Sequence, residues 1–103
     1  MRLIKQKTLV EQARLYPAAA PSLSNFASAV KTAKWESMHD IVRSMAGSPS
    51  PVGRDRVVFN IAGNSFRLIC AVDFRFGVVY VKWFGNHAAY DKVDAATAVL
   101  AEL

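Results

Sequence analysis

The chain has 103 residues, enough for one domain with a single hydrophobic core, and its hydrophobic content of 52% argues against disorder. Its formal net charge of +5 favours polyanionic partners, nucleic acid above all. No apolar run approaches the ~20 residues that span a bilayer, and Met1 to Val10 lacks the continuous apolar stretch of a signal peptide. We therefore expect one cytoplasmic domain over residues 1–103, with no membrane partner.

The first part of the chain predicts two helices. Thr8 and Glu11 fit a capping box, which predicts a short helix that ends before Pro17. An alanine-rich connector then runs to Pro21, and Ser22 is a candidate cap for the second helix. The apolar stripe of this second helix is formed by Leu23, Phe26, Ala27 and Val30.

A third, shorter helix and a break follow. The helix is indicated by Trp35, Met38, Ile41 or Val42, and Met45, and it ends at Gly47. The segment from Gly47 to Gly53 contains two prolines and predicts no regular structure, so it divides a helical half from a half rich in strand-forming residues.

The second half predicts a meander of three antiparallel strands. The strands are expected at Val57–Ile61, Phe66–Phe74 and Val78–Phe84, with turns at Ala62–Ser65 and around Gly77. Turns this short join neighbouring antiparallel strands.

The sheet is expected to end at Gly85, and Asn86 is a reasonable cap for a final helix with Val93, Ala96 and Leu100 on one face. This element order predicts an α+β fold, with N-terminal helices packed on a three-stranded antiparallel sheet. The expected core between the sheet and the second helix consists of Phe59, Ile61, Leu68, Cys70, Val72 and Val81.

The cysteine and histidine content argues against a disulfide or a metal site. Cys70 stands alone in an apolar run, where a free cysteine usually behaves as a small core residue rather than a nucleophile. One cysteine and two histidines are too few for the usual structural zinc site, and the sequence has no clustered carboxylates for a two-metal nuclease. We expect neither a metal ion nor another cofactor.

Two groups of polar residues are candidates for function. The N-terminal third is a candidate polyanion-facing surface, because it carries only Glu11 against Arg2, Lys5, Lys7, Arg14, Lys31 and Lys34. The second group is set into the otherwise apolar sheet and its closing turn: Asn60, Asn64, Arg67, Lys82, His87, Tyr90, Asp91 and Lys92.

Each residue of the second group also has a purely structural interpretation. Arg67 could pair with Asp73 or Asp91, and Lys82 could be a solvated residue on the sheet face. Two such cations close together are costly without an anion between them, which favours a functional pair. His87 and Tyr90, three residues apart, would share a helix face, although Tyr90 could be a buried ring. Asn60 and Asn64 could simply form the turn.

Two motifs resemble those of HigB-like toxins. Residues 58–69 (VFNIAGNSFRLI) resemble the central motif of that family, and residues 85–94 (GNHAAYDKVD) resemble its closing His-x-x-Tyr-Asp motif. Trp35 and the Asp40-Ile41 pair upstream are also similar. The chain departs from the family at three positions. Phe66 stands where the family usually has tyrosine, Asn86 stands where it usually has threonine, and Ala89 stands where it commonly has glutamate. Asn86 keeps the helix cap, so these changes affect local stability more than chemistry.

The resemblance implies a RelE-like fold and a neutralising antitoxin, typically a HigA-like helix-turn-helix protein. It also implies cleavage of mRNA, often on the ribosome. RNA cleavage without a metal needs a base, an acid and cations for the phosphorane charge. Arg67 suits the phosphate and Lys82 would add charge. His87 is the acid/base candidate, because histidine titrates near neutrality.

Four further residues complete this hypothesis. Tyr90 would position a nucleobase, and Asn60, Asn64 and Lys92 are the remaining candidate RNA contacts. Two alternatives stay open: a non-catalytic RNA- or ribosome-binding module, and a degenerate subunit that merely docks a partner protein.

Overall fold

The computed structural model describes residues 1–96, in which four helices accompany one five-stranded sheet. A 3-10 turn at Pro17–Ala19 leads into the second helix. The elements are β1 (Arg2–Ile4), α1 (Gln6–Leu15), α2 (Ala20–Thr32), α3 (Met38–Ser44), β2 (Ser50–Val52), β3 (Arg56–Ile61), β4 (Phe66–Asp73), β5 (Val78–Asn86) and α4 (His87–Tyr90).

The sheet has the strand order β1-β5-β4-β3-β2. The meander β3-β4-β5 is antiparallel, as predicted. The expected strand number and the purely antiparallel description are wrong, because β1 adds to β5 in parallel and β2 adds to β3 on the other edge. Each edge strand has only three residues, which is too short for alternation to be recognised. In β2, Pro51 is tolerated because a proline can occupy an edge strand.

The main hydrophobic core lies between the helices and what we call the first face of the sheet. All six residues expected in this core are buried, and they cluster with Leu23, Phe26 and Val30 of α2, so that prediction is confirmed. Phe26 packs edge-on against Phe59 of β3, with ring centroids 4.8 Å apart. This packing fixes which side chains of the meander point to the other, second face.

The expected starts of the first two helices are wrong. Helix α1 begins at Gln6 without a side-chain cap, after Lys5 in the left-handed region (φ 70°), so Thr8 already lies inside it. Ser22 also lies inside α2, where its hydroxyl accepts a hydrogen bond from the Ala62 amide at 3.2 Å. Pro21 explains the earlier start of α2, since the fixed φ of proline suits a first helical turn.

The C-terminal segment differs from the expected long helix. Asn86 caps α4 as predicted, accepting from the Ala89 amide at 2.7 Å, but α4 ends at Tyr90. Val93 and Ala96 therefore follow the helix instead of forming its stripe, and Leu100 lies outside the described residues. After α4 the chain crosses the second face of the sheet, where Val93 and Ala95 form a smaller cluster with Val58, Ile69 and Trp83.

The Cys70 thiol gives a test of the core. It is fully buried on the first face, and this burial raises the pKa of the thiol although the positive charge of Arg56 acts in the opposite direction. We expect no alkylation of Cys70 by iodoacetamide in the folded protein and rapid alkylation in denaturant. Alkylation at equal rates in both conditions would contradict the described core.

The raised pKa also predicts a pH dependence of stability. The folded state retains the thiol proton longer than the unfolded chain does, so its contribution is complete below the ordinary thiol pKa of about 8.5. Above that pH we expect the free energy of unfolding to fall by up to about 1.4 kcal/mol per pH unit. Urea titrations of the wild type and of Cys70→Ala check this, because the variant lacks the titrating group.

Candidate active site

Arg67 lies on the second face of the sheet. Its neighbours Phe66 and Leu68 point into the main core, and the alternation of β4 leaves Arg67 half-buried on the opposite side. In the strand register Asn60 of β3 and Gly85 of β5 lie directly beside it. The three positions form one row across the sheet, close to the β3–β4 turn.

The guanidinium of Arg67 is held by backbone and ring contacts rather than by a carboxylate. Its Nη1 donates to the carbonyl oxygens of Asn64 and Phe66, both at 3.1 Å. Its Cζ lies 5.8 Å from the centroid of the Tyr90 ring. Within residues 1–96 Arg67 forms no ion pair, so its structural pairing with Asp73 or Asp91 does not occur.

The indole of Trp83 packs against the ring of Tyr90. The two ring centroids are 6.3 Å apart, and the Trp83 side chain is almost fully buried. The indole covers Gly85: a Cβ on that glycine would lie 2.5 Å from the Cη2 of Trp83. We call Gly85, Trp83, Tyr90 and Arg67 the stacked cluster, because each is in contact with the next.

His87 begins α4 at the same end of the sheet. Its amide donates to the Ser65 carbonyl oxygen at 3.1 Å, which ties α4 to the β3–β4 turn. Its side chain is 52% exposed, and Nδ1 lies 3.5 Å from an Asp91 carboxylate oxygen. One cap, one turn and one short helix thus place Tyr90 beside the Arg67 guanidinium and His87 at the same end of the sheet.

Lys82 is not part of this group. It lies on the second face at a β-bulge, where β5 has one residue more than β4 between the pairs Ile69–Trp83 and Cys70–Val81. Its ammonium lies 5.5 Å from the centroid of the Tyr80 ring, and it lines a separate cavity of about 210 Å³ with Asp55, Arg56 and Asp73. Trp83 intervenes between Lys82 and Arg67.

Asn60, Asn64 and Lys92 are the remaining sequence candidates for the site. Asn60 donates from Nδ2 to the Gly47 carbonyl oxygen at 2.6 Å, so its amide fixes the α3–β2 linker against β3. Asn64 lies exposed in the β3–β4 turn, where its backbone oxygen receives Arg67. Lys92 is exposed just after α4.

A family model described as HigB toxin, the RelE-like toxic component of a toxin–antitoxin system, matches residues 19–93. The chain belongs to the HigB toxin family. The resemblance derived from the two motifs is thereby confirmed, and the family implies an antitoxin partner. A search of curated proteins found no match to the chain.

The match to the HigB family includes the stacked cluster and His87, whereas β1 and α1 precede it. Within the described residues of this toxin no group of three or more potential metal ligands occurs, and no helix is long and apolar enough to cross a membrane.

Two members of the stacked cluster were not predicted from the sequence. The sequence places Trp83 only within the expected strand Val78–Phe84, among aromatic residues of which most should be core and one or two could stack on bases, and it places Gly85 only at the end of the sheet. Strict alternation along β5 does not predict on which face of the sheet Trp83 lies, because the bulge at Lys82 puts two successive side chains, Lys82 and Trp83, on the second face. A glycine two residues after a tryptophan in a strand is the signal that remains, since a glycine there often marks a close approach.

Proposed function

We propose that this toxin is a metal-independent endoribonuclease that cleaves mRNA in the cytoplasm, on the ribosome, and so inhibits translation. One observation supports the proposal most: Arg67, without a carboxylate partner in the described residues, is fixed beside Tyr90, and His87 begins α4 at the same end of the sheet. A fixed, half-exposed cation of this kind suits an anionic ligand, and in RNA that ligand is a phosphate.

The hydrogen bonds of Arg67 leave one edge of its guanidinium available. Both hydrogen bonds, to the carbonyl oxygens of Asn64 and Phe66, are donated by Nη1. The Nε and Nη2 hydrogens form the remaining fork, which fits two oxygens of one phosphate. The carbonyl contacts fix the fork in position before the substrate arrives, so little reorganisation is needed when charge develops on the phosphorane.

The chemistry needs proton transfer at two oxygens. The RNA 2′-oxygen attacks phosphorus and gives up its proton to a base, while the P–O5′ bond breaks and the 5′-oxygen receives a proton from an acid. His87 is proposed for one of these two proton transfers. Asp91 lies 3.5 Å from its Nδ1, and a hydrogen bond between them would orient the imidazole with Nε2 toward the substrate.

Tyr90 and the surrounding polar residues would bind the RNA. The Tyr90 ring is half-buried, held between Trp83 and Arg67, and would position a base by stacking or through its hydroxyl. Asn60, Asn64 and Lys92 are proposed as further RNA contacts. Lys82 is about 10 Å from Gly85 along β5, so its contribution to phosphate charge is a long-range one.

Growth arrest tests this proposal. Expression of the chain alone should stop bacterial growth and create new 5′ ends in cellular mRNA, and co-expression of the antitoxin from the adjacent gene should restore growth. His87→Gln should abolish the new 5′ ends while RNA binding survives, because only proton transfer is removed. Normal growth at confirmed soluble expression would contradict the proposal. Unchanged toxicity of His87→Gln would favour a non-catalytic RNA- or ribosome-binding module.

A further inference from the structure

A groove lies at the protein surface between α1 and α2. It encloses about 300 Å³, and Leu9 and Leu23 form its buried floor. Its other apolar lining residues are Val10, Ala13, Ala20 and Ala27. The groove stays open because three of these side chains are alanines, which are too small to fill the space between two packed helices.

Apolar surface remains exposed along this groove. Val10 is 47% exposed, and it stands on α1 between two cations, Lys7 three residues before it and Arg14 four residues after it. Lys31 lines the groove from α2. Glu11 is the one acidic residue of α1 and α2, so the rim of the groove is basic.

We propose that the α1–α2 groove is the docking site of the antitoxin. It would receive an amphipathic helix whose apolar side lies on Leu9 and Leu23 and whose acidic residues face Lys7, Arg14 and Lys31. The antitoxin follows from family membership, not from the proposed ribonuclease activity. An RNA ligand would suit the basic rim but not the apolar floor, because phosphates gain nothing from alanine and leucine side chains.

The groove and the stacked cluster lie on opposite sides of the sheet. Leu9 and Leu23 belong to the core of the first face, whereas Trp83 and Tyr90 belong to the cluster of the second face. Substitutions in the groove therefore do not touch Arg67 or His87. Docking of the antitoxin and toxicity should be separable by mutation.

A charge-reversal variant tests the rim. In Lys7→Glu/Lys31→Glu we expect affinity for the purified antitoxin of the adjacent gene to fall about tenfold or more at low salt, since like charges then face each other. The groove assigns the basic N-terminal surface to an acidic protein partner rather than to RNA, and it lies on the face of the sheet opposite the stacked cluster. The variant should therefore still arrest growth when expressed alone, and the antitoxin should no longer rescue it fully. The matched control is Lys34→Glu/Arg54→Glu, which makes the same change in net charge outside the groove and should keep wild-type affinity.

A second variant tests the floor. Ala27→Glu puts a side chain and a negative charge into the groove and should also weaken the complex, with a thermal unfolding scan to verify the fold. Wild-type affinity in both groove variants would overturn the proposal. Loss of RNA binding with unchanged antitoxin binding would also overturn it, in favour of a nucleic-acid surface. If the wild-type chain is not toxic, the proposed ribonuclease activity is wrong. The affinity measurement still tests whether the antitoxin binds in the groove.

Discussion

Arg67→Ala is expected to abolish growth arrest and mRNA cleavage while the protein stays folded. The variant loses the Nε–Nη2 fork that we assign to the phosphate, and loss of one such preorganised donor costs roughly 10²- to 10³-fold in rate. The cost in stability should be about 1 kcal/mol or less, because Arg67 is half-buried and the carbonyl oxygens of Asn64 and Phe66 would become available to water. Growth curves, mRNA 5′-end mapping and thermal unfolding measure these effects.

The control for this substitution is Arg75→Ala. Arg75 also lies over an aromatic ring, 5.5 Å from the centroid of Phe76, but in the exposed β4–β5 turn rather than beside His87. It should leave toxicity unchanged. Arg67→Lys should be strongly impaired, since lysine keeps the charge but not the planar fork. A fully toxic Arg67→Ala protein would exclude Arg67 from the chemistry.

The central part of the fold was predictable because its signals are local. Strands β3, β4 and β5 are rich in β-branched and aromatic residues, and short glycine-containing turns join them, which specifies an antiparallel meander. The edge strands β1 and β2 carry no such signal. They form because the outer strands of the meander offer free backbone groups, and this is a property of the assembled sheet rather than of three residues.

Helix ends were predicted less well for a similar reason. Asn86 was identified correctly as a cap, but the helix that follows stops at Tyr90 although Val93 and Ala96 continue the helical spacing. In the folded chain Tyr90, Val93 and Ala95 pack against Trp83 and its neighbours on the second face. Burial on the sheet thus decides the path of this segment, which periodicity alone could not indicate.

The candidate site was predictable as a set of residues but not as an arrangement. Arg67 and Tyr90 were selected as polar groups in an apolar context, and the structure brings them together. Lys82 was selected on the same grounds, yet the bulge and Trp83 separate it from Arg67. A bulge is a choice of register between two strands, so the composition of either strand does not reveal it.

Gly85→Val is expected to disrupt the stacked cluster. A side chain at Gly85 would meet the indole of Trp83, with Cβ 2.5 Å from Cη2 and 2.8 Å from Cζ2, and this indole is buried and cannot move freely. Overpacking of this kind typically costs about 1–3 kcal/mol. In a domain of this size each kcal/mol lowers Tm by roughly 4–8 °C. Gly85→Ala should show the same effects more weakly.

The loss of toxicity should exceed what the lower stability explains, because Trp83 carries the ring of Tyr90, which in turn lies against Arg67. The test is a double-mutant cycle of Gly85→Ala with Trp83→Phe. Phenylalanine lacks the distal indole atoms that the new Cβ would meet, so the double variant should recover part of the Tm lost in Gly85→Ala. The double variant should recover less of the toxicity, since the smaller phenylalanine ring makes less contact with the ring of Tyr90 than the indole does. Additive changes in Tm, or a Gly85→Ala protein with wild-type toxicity and stability, would show that the contact between the glycine and the indole does not hold the site in place.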